Sequence, residues 1–479
     1  MVAVIGCAGS GTAPKTPSIS LSLVGGNQTD TVNATLLQAL VAHTLPHELV
    51  QFQSLPDSGN LYGAFVESLA IPDATPLIAD STDSNGQAAV VVYLGQIAGR
   101  ARIVVSIPKY GIADTATFTV QPGRLAAITG IPADTTVYSG VKFALQGTPV
   151  DRFGNRRTDP VSYHVLSGPA TLSADTVTAA ALGFAYVATT SGSAADTTFI
   201  SIVPTGRIAL SHGPYIHIVN LDGTDSVSIL PTIGGAGNLR WAPDGQSLVY
   251  DGMSGCSITQ ISNNAPIVVT NLSGAATALQ LPAFYYAYYP QYARDGSRIY
   301  FTMLNPNGQF WRADPKTLAI DSLGLAPDQD YAPSPSPDGS QLAYFHATSN
   351  STGVLRVLTL SSSAVTDLGV PAYQPVWSPV SNQIAYVAAG TCQGQIHIIH
   401  SDGSGDRLLS ANTYNSGFDW SPDGTWIVAL NAVTGKIDVI NVASGQALPL
   451  TFTSGFSSPA WLPTAPPSNG ARAPRRRHR

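Results

Sequence analysis

The sequence contains very little charge. Lys, Arg, Asp and Glu make up 11% of its 479 residues, against about 25% in ordinary globular proteins. Glutamate and lysine are the scarcest, with two glutamates and five lysines in the whole chain. Because these two residue types cover the solvent face of most helices, an all-helical fold is excluded.

Long apolar runs and catalytic motifs are also missing. No stretch of about 18 apolar residues is present, so the sequence predicts no membrane-spanning helix. The three cysteines show no CxxC or other paired spacing, which argues against a zinc site. The chain has no G-x-S-x-G, P-loop, H-E-x-x-H or EF-hand motif. We therefore predict a protein that is not an enzyme, with no catalytic residues, no metal and no cofactor.

Turn-forming and apolar residues are abundant instead. The chain has 45 Gly and 35 Pro, and its hydrophobic content of 44% is too high for a disordered protein. Short alternating runs of apolar and polar residues separated by turns predict an all-β, multi-domain fold. The net charge is −6. An acidic chain of this kind does not attract nucleic acid, so no nucleic-acid partner is predicted.

The two ends of the chain differ from the rest. Residues 464–479 contain five arginines after Pro466-Pro467, and we predict a disordered, solvated tail; binding to an anionic surface is the alternative. At the other end, Val4-Ile5-Gly6-Cys7 precedes a flexible Gly/Ser/Ala tether, so that residues 1–16 are predicted to be a signal remnant and tether. This segment resembles the lipobox of bacterial lipoproteins. The resemblance implies lipidation of Cys7 and an outer-membrane, periplasmic or extracellular location.

Residues 17–121 and 122–204 share one plan of short strands and turns. A polar turn precedes a late hairpin in both, as in Asp83-Ser84-Asn85-Gly86 and Asp151-Arg152-Phe153-Gly154. Blocks of this size with short strands are typical of β-sandwiches. Both resemble bacterial Ig-like domains, and the resemblance implies that they act as spacers.

Residues 205–463 contain an internal repeat. An anchor residue, usually aromatic, is followed by a Pro-Asp-Gly type of turn and an apolar strand. Successive anchors are 51, 43, 42, 43 and 41 residues apart, at Trp241, Tyr292, Pro335, Trp377, Trp420 and Trp461. Three or four short strands in about 43 residues is the size of a β-propeller blade. Trp377 departs from the pattern, because Val380-Ser381 replaces Asp-Gly.

The count of repeats predicts six blades. Residues 207–230 supply three strands without an anchor, and the segment at Trp461 supplies an anchor strand without the rest; joining them closes the ring. The W-S-P-D-G repeat resembles that of TolB-type propellers, which implies a protein-interaction platform. Cys256 and Cys392 fall in repeats three apart, on opposite sides of such a ring, so no disulfide between them is predicted.

Six tyrosines are candidate binding residues at the mouth of the predicted channel. Three lie four residues before consecutive anchors, and the others belong to an insertion in the longest repeat: Tyr288, Tyr331 and Tyr373, with Tyr285, Tyr286 and Tyr289. Rigid aromatic side chains with one polar tip are typical of binding surfaces. We expect them to receive a protein, a peptide or a glycan. The alternative is that they only fill the channel and pack on neighbouring loops.

These features together predict a non-enzymatic cell-envelope or surface binding protein. Two spacers would hold a propeller away from a membrane to which the chain is attached only by its lipid. The alternatives are a structural subunit of an extracellular assembly and a propeller with a lyase-, hydrolase- or carbohydrate-related role. Against an enzymatic role stands the scarcity of clustered Glu, His and Lys.

Overall fold

A computed structural model describes residues 19–58, 61–68, 74–132, 134–233, 235–252, 266–282, 285–304, 308–324, 328–348, 353–388, 393–415 and 417–463. Apart from one 3₁₀ turn, Pro108–Tyr110, every regular element in these ranges is a β-strand, which confirms the all-β prediction. In the same ranges, no helix has the length and apolar character needed to cross a bilayer. Cys7, Cys256, Cys392 and the arginine-rich tail lie outside the described residues.

The chain divides into two compact units. The first contains the described residues up to Ile131, together with Gln146–Ser162 and Thr189–Asp196. The second contains Pro132–Leu145, Tyr163–Ala188 and the described residues from Thr197 onward. The boundaries at 121/122 and 204/205 stay predictions.

The first unit has two main sheets, mostly antiparallel, that share one core. Their strands, in spatial order, are Ser22–Val24, Leu40–His43, Gln87–Leu94 and Ala64–Ser68 in one, and Thr29–Thr31, Ile112–Gln121, Gly99–Ile107, Leu49–Ser54 and Leu77–Ser81 in the other. Two small pairs join Pro56–Ser58 to Leu61–Tyr62 and Leu125–Thr129 to Thr148–Asp151. Every second residue of Gln87–Leu94 is buried, and these side chains meet those of Gly99–Ile107 in a single apolar cluster.

Residues 134–203 form a second pair of sheets. The orders are Asp134–Tyr138, Ala194–Val203, Gly183–Ser191 and Ser162–Ser167, and Lys142–Ala144, Thr176–Ala179 and Ala170–Ser173. In this sheet and in the five-stranded one above, an early strand pairs in parallel with the last strand: Thr29–Thr31 with Thr119–Gln121, and Asp134–Tyr138 with Phe199–Val203. The two regions therefore share the parallel pairing of an early strand with the last strand.

The repeat region consists of antiparallel sheets in which neighbours along the chain pair. Four of the sheets are four-stranded, with the spatial orders Val227–Ile229, Tyr215–Asn220, Arg207–His212 and Ser457–Trp461; Gly237–Trp241, Ser247–Asp251, Val268–Asn271 and Ala276–Ala278; Tyr286–Tyr292, Ile299–Leu304, Gly308–Ala313 and Ile320–Ser322; and Asp419–Trp420, Trp426–Leu430, Ile437–Asn441 and Ala447–Pro449.

A seven-stranded sheet completes this part of the chain. Its order is Asp330–Pro335, Gln341–Ala347, Gly353–Thr359, Ala364–Trp377, Gln383–Ala388, Ile396–His400 and Arg407–Leu408, and a short pair joins Gln393–Gly394 to Tyr414–Asn415. The 14-residue strand Ala364–Trp377 pairs through its first half with Gly353–Thr359 and through its second half with Gln383–Ala388. It thus ends one repeat and begins the next.

The first and last strands of the repeat region pair with each other. Ile208 lies opposite Trp461 and Ala209 opposite Ala460, so the predicted joining of these two segments is confirmed. Apolar clusters fill the space between consecutive sheets; Leu210 of the first sheet, for example, packs with Val428 of the last. Closure of this kind leaves neither strand with an unpaired edge on that side.

Candidate functional site

Each anchor residue ends the first strand of its repeat. The strands that contain Trp241, Tyr292, Pro335, Trp377, Trp420 and Trp461 all finish at that residue. In four repeats a turn follows in which an aspartate accepts a hydrogen bond from the backbone N–H two residues later, at 2.9–3.1 Å: Asp244, Asp295, Asp338 and Asp423. The glycine after each aspartate has φ between 68° and 72°. The predicted turn chemistry is therefore present.

A residue in the left-handed region lies three positions before every anchor. These residues have φ values of 46°, 57°, 54°, 42°, 93° and 49°: Asn238, Tyr289, Ala332, Gln374, Gly417 and Ser458. In four of the repeats the pairing with the next strand shifts across this position, as in a β-bulge. The bulge changes the direction of the strand just before its last two residues.

The residues between the bulges and the anchors line a cavity of about 100 Å³. We call it the anchor cavity. Five of the residues that directly precede an anchor contribute to its wall: Arg240, Gln291, Ser334, Val376 and Asp419. Prolines of the anchor turns also line it, at positions 243, 337, 379, 422 and 463. The lining thus combines charged side chains with tryptophan and proline.

Arg240 is a buried cation in this wall. Only 5% of the residue is exposed, and its Nη1 donates to the Leu239 carbonyl at 2.8 Å. With its amide oxygen turned toward the guanidinium, Gln291 accepts from Nε at 2.7 Å. Burial lowers the pKa of Arg240, against the opposing effect of the nearby carboxylates of Asp419 and Asp251. Within the described residues, no carboxylate forms an ion pair with it.

Asp419 is the acidic residue of the anchor cavity. Its two carboxylate oxygens accept backbone N–H bonds, one from Trp461 at 2.9 Å and one from Trp420 at 3.0 Å. Burial raises the pKa of Asp419, while Arg240 and these two N–H groups act in the opposite direction. Because both oxygens are engaged, the carboxylate holds the first and last repeats together and has little freedom for proton transfer.

Arg294 occupies the place that proline takes in the other anchor turns. It lies two residues after its anchor, as Pro243, Pro337, Pro379, Pro422 and Pro463 do. Its side chain is exposed at the cavity, and its positive charge lowers the pKa of Asp419. The lining of the cavity therefore contains two arginines and one aspartate.

Four of the six candidate tyrosines are buried. Tyr288, Tyr289, Tyr331 and Tyr373 are 3–8% exposed and belong to one apolar cluster. Phe345 lies among them, with ring centroids 5.3 Å from Tyr331 and 4.6 Å from Tyr373. The hydroxyl groups of Tyr289 and Tyr373 are 2.9 Å apart. Tyr285 and Tyr286 are partly exposed. Binding by the tyrosines stays a prediction, with these two as its accessible members.

The hydroxyl of Tyr288 is buried without a hydrogen-bond partner among the described residues. Burial raises its pKa to about 12, with a smaller contribution from the charge of Asp251. The Asp251 carboxylate accepts from the Tyr289 backbone N–H at 2.9 Å and from Asn238 Nδ2 at 3.0 Å. A buried acid thus joins two neighbouring repeats beneath the tyrosines.

Sequence reasoning missed the residues of the anchor cavity. When the repeats are aligned on their anchors, the preceding position reads Arg, Gln, Ser, Val, Asp and Ala, where an inner strand would favour apolar residues. The polar residues at this position could have indicated the cavity. Arg294 could also have been noticed in the sequence, because it replaces the proline that the other anchor turns have at the same place.

Comparison with known proteins finds distant similarity. No family model matches the chain. The Tol-Pal system protein TolB of Gluconobacter oxydans is 27% identical over 98 residues, which is 19% of this chain and 22% of that protein. An uncharacterized protein of Agrobacterium fabrum is 26% identical over 187 residues, 37% of this chain and 62% of that protein. The chain thus spans less than two thirds of either relative.

Two solved structures illustrate the structural similarity. TolB from Acinetobacter baumannii matches with a TM-score of 0.45 and 18% identity, covering 54% of this chain and 67% of that one. An oligogalacturonate lyase in complex with manganese matches with a TM-score of 0.34 and 14% identity, covering 52% of this chain and 73% of that one. One of these two proteins is an enzyme by its name.

Proposed function

We propose that residues 205–463 form a six-bladed propeller of the TolB type. The pairing of Arg207–His212 with Ser457–Trp461 supports this architecture, and so does the six-fold recurrence of the left-handed position. The anchors also connect neighbouring repeats: Trp241 Nε1 donates to the Ala460 carbonyl at 3.2 Å and Trp420 Nε1 to the Val376 carbonyl at 3.0 Å. Residues 17–121 and 122–204 would be Ig-like spacers.

The function that we propose is non-enzymatic binding of a protein or peptide in the bacterial cell envelope. The observation that carries it is the anchor cavity, whose lining brings Arg240 and Arg294 together with tryptophan and proline side chains. Such a surface suits a peptide segment with an acidic side chain or a terminal carboxylate, which arginine recognises through paired N–H donors. Aromatic side chains and Arg are also the residues that dominate binding energy at interfaces.

The same cavity argues against hydrolysis or elimination. Its acidic residue, Asp419, has both oxygens held by backbone N–H groups, and the two glutamates of the chain lie outside the repeats. General acid–base chemistry needs a titratable group that is free to reach its substrate. The composition of the cavity favours holding a ligand over converting it.

Substitution of Arg294 by proline tests the binding role. Arg294→Pro gives this turn the residue found at the same place in the others, so the fold should be retained. Arg298→Ala is the matched control, because it removes one positive charge close by, outside the cavity. Full-length chain would be immobilised and exposed to envelope extract, and the captured proteins quantified by mass spectrometry. We expect Arg294→Pro to reduce capture of the bound partner at least tenfold and Arg298→Ala to leave it unchanged.

A double Tyr285→Ala, Tyr286→Ala variant separates the two candidate surfaces. If this variant no longer captures the partner while Arg294→Pro still does, the binding site lies at the tyrosines and not at the anchor cavity. Retention of the same partners by both variants, with circular dichroism unchanged, would contradict a binding role for either surface. Peptides ending in aspartate, measured by fluorescence anisotropy against their amidated forms, would then report directly on the acidic-ligand assignment.

Attachment to the membrane through Cys7 is part of the same proposal. Support comes from the lipobox-like segment Val4-Ile5-Gly6-Cys7 and the small-residue tether after it. Mass spectrometry of the full-length chain from a membrane fraction would detect the acyl chains on Cys7. An unmodified Cys7 peptide would remove the anchor from the proposal and leave the binding role in place.

A further inference from the structure

Three potential metal ligands converge away from the anchor cavity. One ligand atom each from Asp328, Asp330 and His346 lies within 4.8 Å of the other two. Asp330 and His346 are direct cross-strand partners, and the His346 Nδ1 is 2.8 Å from an Asp330 carboxylate oxygen. Asp328 precedes the strand Asp330–Pro335 and is fixed by its backbone N–H, which donates to the Gly308 carbonyl at 3.2 Å. The three side chains come from two segments that the sheet holds in register.

Two positively charged groups act on Asp330: His346, which pairs with it when protonated, and Arg356, whose charge acts from beyond ion-pair distance. Elsewhere in the repeat region, four other aspartates pair with arginines: Asp225 with Arg207, Asp314 with Arg298, Asp321 with Arg312 and Asp367 with Arg356. Among the described residues, no Lys or Arg lies within ion-pair distance of Asp328 or Asp330. Two carboxylates this close repel each other unless a cation or a proton is shared between them.

The donor set indicates the class of cation. One imidazole nitrogen and two carboxylate oxygens are ligands that Zn²⁺ takes at about 2.0–2.2 Å. At such bond lengths, neighbouring ligands of a tetrahedral ion are separated by about 3.4 Å, so atoms already within 4.8 Å of one another need only small side-chain rotations. Ca²⁺ prefers six to eight oxygen ligands and accepts imidazole poorly. Three protein ligands leave the fourth position open for water or for a group of another molecule.

We propose that Asp328, Asp330 and His346 form a binding site for a divalent transition-metal cation, with Zn²⁺ as the best match. The side chains of Asp330 and His346 are 16% and 15% exposed, so the site is half enclosed by the sheet and open toward Asp328, which is exposed. A bound ion would connect the segment before the strand Asp330–Pro335 to the strand Gln341–Ala347. Since these ligands are assembled only in the folded chain, binding would also stabilise the fold.

Zinc titration of the full-length chain tests the site. The chain would be freed of any histidine tag, treated with EDTA and titrated with ZnCl₂ in an isothermal calorimeter, with thermal unfolding followed in parallel. Asp328→Asn is the test variant, since its exposed side chain makes loss of folding improbable. Asp406→Asn is the matched control: Asp406 lies 3.2 Å from the His397 Nδ1 in another repeat, outside any three-residue ligand group found among the described residues.

The expected results are specific. Wild-type chain and Asp406→Asn should take up one Zn²⁺ with equal affinity and unfold at a higher temperature with the metal than without it. Asp328→Asn and His346→Ala should lose at least about tenfold in affinity, because even the loss of a residue that only supports a metal ligand costs about that much. Co²⁺ should bind in competition with Zn²⁺ and give visible d–d absorption that His346→Ala abolishes.

Three results would overturn the inference in whole or in part. Zinc uptake that is equal in wild type, Asp328→Asn and His346→Ala would place the ion elsewhere, for example on a cysteine. The absence of zinc uptake by wild-type chain that circular dichroism shows to be folded would exclude the site. A preference for Ca²⁺ over Zn²⁺ in the same titration would overturn the assignment of the cation. None of these outcomes depends on whether the anchor cavity binds a peptide.

Discussion

At the scale of single residues, Asp151 shows how a charge-poor chain uses the few charges that it has. The residue is 2% exposed and accepts hydrogen bonds from the backbone N–H groups of Gly123, Phe153 and Asn155 and from the Asn155 side chain. Burial alone would raise the pKa of Asp151, but these bonds outweigh it and hold the pKa below its usual value. The carboxylate thus organises a turn and its surroundings.

Asp151→Asn should therefore destabilise the protein. Replacing one acceptor oxygen by an NH₂ group turns a donor toward other donors, and hydrogen bonds to charged groups contribute about 1.5–3 kcal/mol each. We expect a loss of that size in the free energy of unfolding, measured by urea denaturation at pH 7. Asp175→Asn is the control: that residue is exposed, and its substitution should change stability by less than about 0.5 kcal/mol.

The dependence of the unfolding free energy on pH in the acid range should also show the contribution of Asp151. Because the folded-state pKa of Asp151 is depressed, its contribution is present above the ordinary value of 3.8 and is lost as the pH falls through the lower folded value. The difference in unfolding free energy between wild type and Asp151→Asn should thus narrow below about pH 4. A difference that stays constant from pH 7 to pH 2 would contradict this assignment.

At the scale of the strand, the recurring left-handed residue is the feature that shapes the anchor cavity. Six different residue types occupy it, and only Gly417 adopts that conformation without cost. No atom lies within 4 Å of a Cβ added at Gly417, so Gly417→Ala introduces no steric clash. Any loss of stability in this variant therefore measures the cost of the left-handed backbone conformation. We expect a loss of roughly 1–2 kcal/mol in the free energy of unfolding, followed by thermal or urea denaturation.

Gly26→Ala is the control for that measurement. Its φ lies outside the left-handed region, and an added Cβ would make only an ordinary contact of 3.7 Å with Ala116. This variant should be neutral or slightly stabilising, because alanine restricts the unfolded chain. Equal destabilisation by both substitutions would contradict the role assigned to the left-handed position.

The same strands show which parts of the structure the sequence could predict. The turns after the anchors were predictable because Asp244, Gly245 and their equivalents act through bonds within four residues. The bulge was not, since Asn238, Tyr289 and Ala332 share no side-chain property: their conformation is imposed by the neighbouring strands. The contact between the Tyr289 and Tyr373 hydroxyls joins residues 84 positions apart along the chain, so the sequence alone left it open.

At the scale of the whole molecule, closure of the repeat region depends on seven residues near its end. A chain that ends at Phe456 would lose the strand Ser457–Trp461, and with it the partner of Arg207–His212 and the acceptor of the Trp241 indole N–H. A chain that ends at Pro463 keeps all of these contacts and is the control. We expect the shorter chain to unfold at a temperature at least about 4 °C lower and to aggregate, because an unpaired strand edge and apolar surface are exposed.

Identical melting curves for the two truncated chains would contradict closure by this strand.

The pairing of the first and last strands of the repeat region was predictable. The sequence contains three strands without an anchor near Arg207 and an anchor without its strands at Trp461. The anchor cavity was less predictable: Arg240 and Asp419 come from repeats that are 179 residues apart along the chain. Only the assembled sheets bring them to one wall.

The geometry of the closing pair also has a mechanical consequence. Ile208 lies opposite Trp461, and the Leu462 N–H donates to the Arg207 carbonyl at 2.9 Å, so the chain enters and leaves the repeat region at the same end of two antiparallel strands. Tension applied through both ends of this region would peel the strands apart one hydrogen bond at a time, because it does not load them together in shear. The repeat region would therefore open at this pair first, under a small force.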